Sequence, residues 1–281
     1  MYTLDDLVKD EQLTEIINKY WEDYVEHKNL DIVVKPSIPI IWFGDLVAYK
    51  NSDLKVVTVA INPSDDEFKN TKKEISFNRF PYAEKLTEKE KLDVNDRVTL
   101  IKSYNDYFTV DPYPNFFERG YEKVLEIFST SYGYNKSVSK AIHIDCISAL
   151  ATDLNWSQLK DKQESIRNID FFENVFEKML LDYLEPDIII LSSNQPTLEM
   201  FVGKQKPLSE YEKKTSKRKI KSFNFKNKGK LLIYMSNNDR GPTKSFTEEE
   251  YKREITMIRE NLWDDNTKKL KINASDIYST D

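Results

Sequence analysis

The chain has 281 residues, 39% apolar and 32% charged, with a formal net charge of −6. That length can hold a sizeable core in one large domain or two small ones, and the acidic balance weighs against a protein that coats nucleic acid. Six glycines with no GxGxxG or GxxxxGK[ST] pattern argue against a Gly-rich phosphate loop, and the single cysteine, Cys146, excludes an intramolecular disulfide and a multi-cysteine zinc site. The acidic start of the chain lacks an apolar h-region and nothing approaches a membrane span, so a cytoplasmic protein without signal peptide or membrane partner is expected. No cofactor or metal is implied, and the expected state is a monomer.

In chain order, residues 13–27 carry Leu13, Ile16, Ile17, Tyr20 and Tyr24 at helical spacing. Residues 33–43, interrupted by Pro36 and Pro39, suit an edge strand or an extended arm. Residues 56–61 form a β-branched run too short for a helix and suited to a buried parallel strand. It ends abruptly in Asn62-Pro63-Ser64. Proline stops the ladder and holds the preceding residue extended. A polar loop with Phe77, Arg79, Phe80 and Tyr82 follows, then helices over 89–108 and 115–132, a second central strand in 141–150, and a helix over 171–184 ended by Pro186.

A third strand, 188–191, precedes Ser192-Ser193-Asn194 and a short helix over 197–202. Residues 213–230 gather nine Lys and Arg side chains, with only Glu212 acidic at the border. They read as a β-hairpin turning at Asn227-Lys228-Gly229, and as either a phosphate-gripping patch or a solvated face. The return strand, 231–235, runs into Ser236-Asn237-Asn238-Asp239-Arg240, and Thr247 with Glu250 opens a last helix by a capping box. Strands alternating with helices imply one three-layer α/β/α domain over 1–265, with an amino-terminal helical extension and a polar tail over 266–281.

In a parallel sheet the strand ends at Asn62, Asp145, Asn194 and Asn237 would line one crevice. His143 lies two residues before Asp145 and faces the same way. The two are either a catalytic pair or a core histidine beside a strand-end carboxylate.

This order of pieces resembles the uracil-DNA glycosylase superfamily, which has a three-layer α/β/α fold around a mostly parallel sheet. Ile61-Asn62-Pro63-Ser64 is similar to the Asn-Pro-Gly motif of the mismatch-specific branch, with Ser64 in place of glycine. Ile142-His143-Ile144-Asp145 resembles the base-reading strand, with Asp145 where Asn is common. The segment from Ser236 to Pro242 stands where the last motif usually carries a histidine, and here it has none. Val110-Asp111-Pro112-Tyr113-Pro114 is similar to the Asp-Pro-Tyr-His motif of the classical uracil glycosylases. It follows no strand and lacks the histidine, so it reads as a turn between helices.

The resemblance implies a DNA glycosylase acting on a flipped base, in repair or in defence against phage, with DNA, single- or double-stranded, as partner. Catalytic roles fall on Asn62, which would position water at the sugar C1′, and on Asp145 and Asn237. Substrate contacts fall on Ile61, Pro63, Ser64, His143, Asn194, Asn238 and Arg240, with Phe77 and Phe80 as stacking groups. Asp65, Asp66 or Glu67 would supply negative charge near the sugar. A carboxylate at position 145 only accepts, which suits an exocyclic amino group and repels the O4 of uracil. A modified cytosine is therefore the expected base. A noncatalytic binding protein and a small-nucleotide hydrolase using His143 remain the alternatives.

Overall fold

The computed structural model describes residues 1–137, 139–236 and 242–271. Its strands are β1 (Val56–Ala60), β2 (Thr130–Ser131), β3 (Ser139–Asp145), β4 (Ile188–Ser193), β5 (Ser209–Glu212), β6 (Lys219–Phe225) and β7 (Lys230–Ser236). They form one sheet in the order β2-β3-β1-β4-β7-β6-β5. The first five strands in that order are mutually parallel, and β6 and β5 continue it antiparallel. Every residue of β1 and β4 is buried, so both faces of the sheet centre are covered, as their unbroken apolar runs require.

Register decides what shares a face. Thr58 pairs with His143 and Ile190, Ala60 with Asp145, and Ser192 with Met235. These side chains therefore project to one side. That side is covered by the helical stretch from Phe117 to Phe128, whose Phe117 and Tyr121 rings touch His143. The last helix, Glu248–Leu262, meets β6 on the same side. Phe223 and Phe225 point to the opposite side, where Phe225 meets Phe201 of the helix Gln195–Val202, and Phe201 meets Phe172 and Phe176. The result is helix, sheet, helix.

Several boundaries differ from expectation for identifiable reasons. The segment 33–43 is extended but forms no strand. Its amides reach single carbonyls, Val34 N to Ala151 O at 2.9 Å and Ile40 N to Ala149 O at 2.8 Å, because Pro36 and Pro39 interrupt any ladder. It is no edge, since Ile38, Ile40, Ile41, Trp42 and Phe43 are all buried. The helix expected over 89–108 starts at Val94, where Asp93 and Asp96 form a capping box. β3 stops at Asp145, and residues 146–152 run on beside the exit of β1 without joining the sheet.

The helix Glu11–His27 is no extension. It buries Leu13, Ile16, Ile17, Tyr20, Trp21 and Tyr24 in the common core. Within the stretch read as a polar tail, Lys269–Leu270 pairs with Trp263–Asp264 in a small ribbon, and 272–281 lie outside the described residues. The hairpin turn at Asn227 and Gly229 and the Thr247 capping box are as the sequence predicts. β5 has no apolar alternation to announce it and is absent from the sequence-based map.

Candidate active site

Past β1 the chain cannot continue its ladder through Pro63, and residues 146–152 close in beside it. Cys146 N donates to Ala60 O and Ile147 N to Ile61 O, both at 2.9 Å, and Thr152 N reaches Pro63 O at 3.3 Å. Asn62 is clamped in this seam. Its Nδ2 donates to Pro63 O and to Thr152 Oγ1, each at 2.9 Å. The amide orientation follows from the partners. The Pro63 carbonyl can only accept, and the Thr152 hydroxyl gives its proton to Leu154 O at 2.7 Å. Oδ1 is thus the free end, with no hydrogen bond from any described residue.

Asp145 closes β3 beside Ala60, with its side chain almost wholly enclosed. Its Oδ1 lies 3.6 Å from His143 Nε2, and His143 Nδ1 is 2.8 Å from Thr58 Oγ1. Thr58 also meets the Tyr132 hydroxyl. The ring thus joins the strand-end carboxyl to a buried pair of hydroxyls; in the tautomer with its proton on Nε2, Thr58 donates to Nδ1 and Tyr132 to Thr58. Phe43, Phe116, Phe117 and Tyr121 surround the imidazole.

The short turn Asp65–Glu67 separates three adjacent acids. Asp65 pairs with Lys69 and Lys73, and Asp66 with Lys73 at 2.6 Å. Glu67 swings inward and is only 4% exposed. Its Oε2 accepts from the Tyr107 hydroxyl at 2.8 Å and lies 3.9 Å from Arg79 Nε. Burial pushes the Glu67 carboxyl up to about 7, against the opposing pull of Arg79 and Tyr107, while Asp145 and Asp66 push it further. Oε1 has no partner among the described residues.

These groups border one cavity of about 380 Å³, within the range that holds small ligands. Asn62, Glu67, His143, Asp145 and Ser192 are polar groups on it, and Phe43, Tyr113, Phe116, Phe117 and Trp156 are aromatic ones. Of the sequence-predicted residues, Ile61, Asn62, Pro63, Ser64, His143, Asp145 and Asn194 come together here. Asn194 also caps the helix Gln195–Val202, its Oδ1 accepting from Thr197 N at 3.0 Å and Thr197 Oγ1 at 2.9 Å. Asn237, Asn238 and Arg240 lie outside the described residues.

Phe77 and Phe80 are a correction. Both are buried beside Phe68, with ring centroids 5.4 Å from it, and neither borders the cavity. The loop that carries them folds back on itself, Ser76 N donating to Phe68 O, which turns the rings into the core. Aromatic walls come instead from Tyr113, Phe116, Phe117 and Trp156, which the sequence reading did not select. Tyr113 belongs to the Asp-Pro-Tyr-Pro turn between helices.

The basic segment is also less exposed as charge than its composition suggests. Lys219 pairs with Glu210 and Glu212, Lys221 with Glu210, Lys217 with Glu212, Lys213 with Glu250 and Lys226 with Glu177. All four glutamates lie outside the segment, two on β5, one on the last helix and one in the stretch 172–184. Among the described residues no cluster of His, Cys, Asp and Glu is placed to hold a metal ion, and no helix is long and apolar enough to cross a membrane. No family model, curated protein or solved structure matches the chain.

Proposed function

We propose that the protein is a DNA glycosylase of the uracil-DNA glycosylase type, hydrolysing the N-glycosidic bond of a flipped-out, cytosine-type base. The observation that carries this is the clamped Asn62. Its amide protons are held by Pro63 and Thr152, its Oδ1 takes no hydrogen bond from any described residue, and Asn62 borders the same cavity as Asp145. An acceptor fixed in this way orients an attacking water without reorganising during reaction. Aromatic rings suit the faces of a base taken out of the stack, and a buried carboxylate suits an exocyclic amino group on its edge. The parallel strands β3-β1-β4-β7, with Asn-Pro at the end of the first in sequence, support the likeness to that superfamily.

The test is incubation with duplexes and single strands carrying cytosine, 5-hydroxymethylcytosine, glucosylated hydroxymethylcytosine or uracil, followed by a search for alkali-labile abasic sites. Release of a cytosine-type base, abolished in Asn62→Ala with binding retained, is the expected result. Equal release of uracil by the wild-type protein would refute the base assignment.

A second reading has one observation in its favour. The net charge of −6 and the pairing of Lys213, Lys217, Lys219, Lys221 and Lys226 with glutamates leave less positive surface for a DNA backbone than the sequence suggests. The same site would then cleave the same bond in a free nucleoside or nucleotide. Turnover of free nucleotides with none on polymers would select it.

A further inference from the structure

Asp66 and Glu67 line the cavity besides Asp145; Asp66 is paired with Lys73, and the function proposed above leaves Glu67 without a role. Oε2 is held by Tyr107, and Oε1 has no partner among the described residues. Arg79 stands too far for a hydrogen bond, at 3.9 Å from Oε2, and gives its short contact to Asp66 O instead. The charged and titratable groups around Glu67 are Arg79, Asp66, Asp145, Tyr107 and Tyr134, with His143 and Tyr113 also on the cavity. Among the described residues Arg79 is the cation that pulls on it, and Asp145 and Asp66 oppose its ionisation. A neutral carboxyl both donates and accepts, whereas Asp145 as a carboxylate only accepts.

We propose that Asp145 and Glu67 form a matched acceptor and donor that read the amino group and adjacent ring nitrogen of a cytosine-type base, and that Glu67 gives its proton to that nitrogen as the base leaves. This rests on the glycosylase reading for its second half only. Cytosine presents N4–H as donor beside N3 as acceptor, which is the complement of the pair. Uracil presents O4 and N3–H, which meets acceptor with acceptor and donor with donor.

The step balances. The C1′–N1 bond breaks and its electron pair leaves with the base. The Glu67 O–H bond breaks and an N3–H bond forms, so the base departs neutral. Water oriented by Asn62 bonds through oxygen to C1′ and releases one proton, which restores the Glu67 carboxyl. The buried site holds that carboxyl near pH 7, suited to proton transfer in both directions at neutrality.

The experiment uses the full chain with oligonucleotides carrying 2′-fluoro-2′-deoxycytidine or its uridine counterpart, which bind without being cleaved, together with cleavable substrates. Wild-type protein prefers the cytosine probe below pH 7 and loses that preference as pH rises. Glu67→Ala binds both probes alike. Glu67→Gln, which keeps a donor N–H but cannot release a proton, retains the preference at all pH values and slows base release by about 100-fold. Equal binding of the two probes by the wild type, or an unchanged preference in Glu67→Ala, overturns the edge-reading pair even if some base is released. Wild-type release rates in Glu67→Gln overturn the proton transfer. An intact, Glu67-dependent preference with no release of any base upholds the pair and overturns the glycosylase reading alone.

Discussion

The side chain of Asn62 donates to Thr152 Oγ1 at 2.9 Å, joining two strand exits ninety positions apart in the chain. Thr152 in turn donates to Leu154 O, so neither amide proton nor hydroxyl can re-pair without disturbing the seam. Removing the Thr152 hydroxyl should therefore misorient Asn62 rather than unfold the protein. Thr152→Val removes two hydrogen bonds and is expected to cost roughly 1–3 kcal/mol in urea unfolding. Base release should fall roughly 10- to 100-fold, since small misplacements of a positioning group have effects of that size. Thr152→Ser should restore both. A variant with full activity would show that the clamp does not set the Asn62 geometry.

Glu67 predicts a stability that depends on pH in an unusual direction. Its carboxyl rises from the ordinary 4.5 to about 7 on folding, because of burial. A raised pKa means the folded state binds the proton more tightly than the unfolded chain. The contribution is present below pH 4.5 and is lost as pH rises through 7. Between those limits the wild-type protein should lose up to roughly 3 kcal/mol from this group. Glu67→Gln keeps an acceptor for Tyr107 and has no charge to bury. Its stability relative to wild type should therefore improve from pH 5 to pH 8, measured by urea unfolding at both. An equal difference at the two pH values would show that Glu67 does not titrate in this range.

The contrast between Asn62 and Glu67 explains what the sequence could disclose. A β-branched run cut by proline places its last polar residue at a strand end, so Asn62 is legible from local chemistry. Asp145 and His143 are legible through the same alternation. Glu67 is not, because Asp65, Asp66 and Glu67 have the same chemistry and only the turn of backbone after Ser64 decides which faces inward. Phe77 and Phe80 had the right residue type in the right loop, yet that loop folds back and sends the rings to Phe68. The walls that replace them come from residues 113–117 and 156, brought to the cavity by long-range packing that no local pattern encodes. The layer order was readable because alternating strands and helices admit few architectures. The exits of the strands, where the ladder ends and each side chain finds its own partner, were not.

Thr58 links the core to the cavity. It is fully buried and meets Tyr132 on one side and His143 on the other. Thr58→Val preserves shape but strands two polar groups, at a cost of roughly 1–3 kcal/mol. Tyr132→Phe removes the outer donor only. Because both variants break one chain, the double variant should cost less than the sum, and a double-mutant cycle in urea unfolding gives the coupling. Additive costs would mean that Tyr132 and His143 do not communicate through Thr58. Nitrogen-15 spectra of the His143 ring should show the proton on Nε2 in the wild type and a shift toward mixed tautomers in Thr58→Val.

Lys217, Lys219 and Lys221 share Glu210 and Glu212, so three positive and two negative groups sum to a single net charge over that face of β5 and β6. Those lysines hold the Glu210 and Glu212 carboxyls below their ordinary range, which keeps both ionised at any pH where DNA binding would be measured. Each lysine that neutralises a phosphate adds about 0.9 to the slope of log affinity against log salt. If the glutamates already satisfy them, Lys219→Gln with Lys221→Gln should leave that slope unchanged for a glycosylase substrate. Glu210→Gln should instead steepen it by about 0.9, by freeing Lys221 for the backbone while Lys219 keeps Glu212. The measurement is a salt titration of oligonucleotide binding between 50 and 200 mM, roughly the window over which phosphate contacts are resolved. A slope that falls by about two in the double lysine variant would place this face on the phosphates after all.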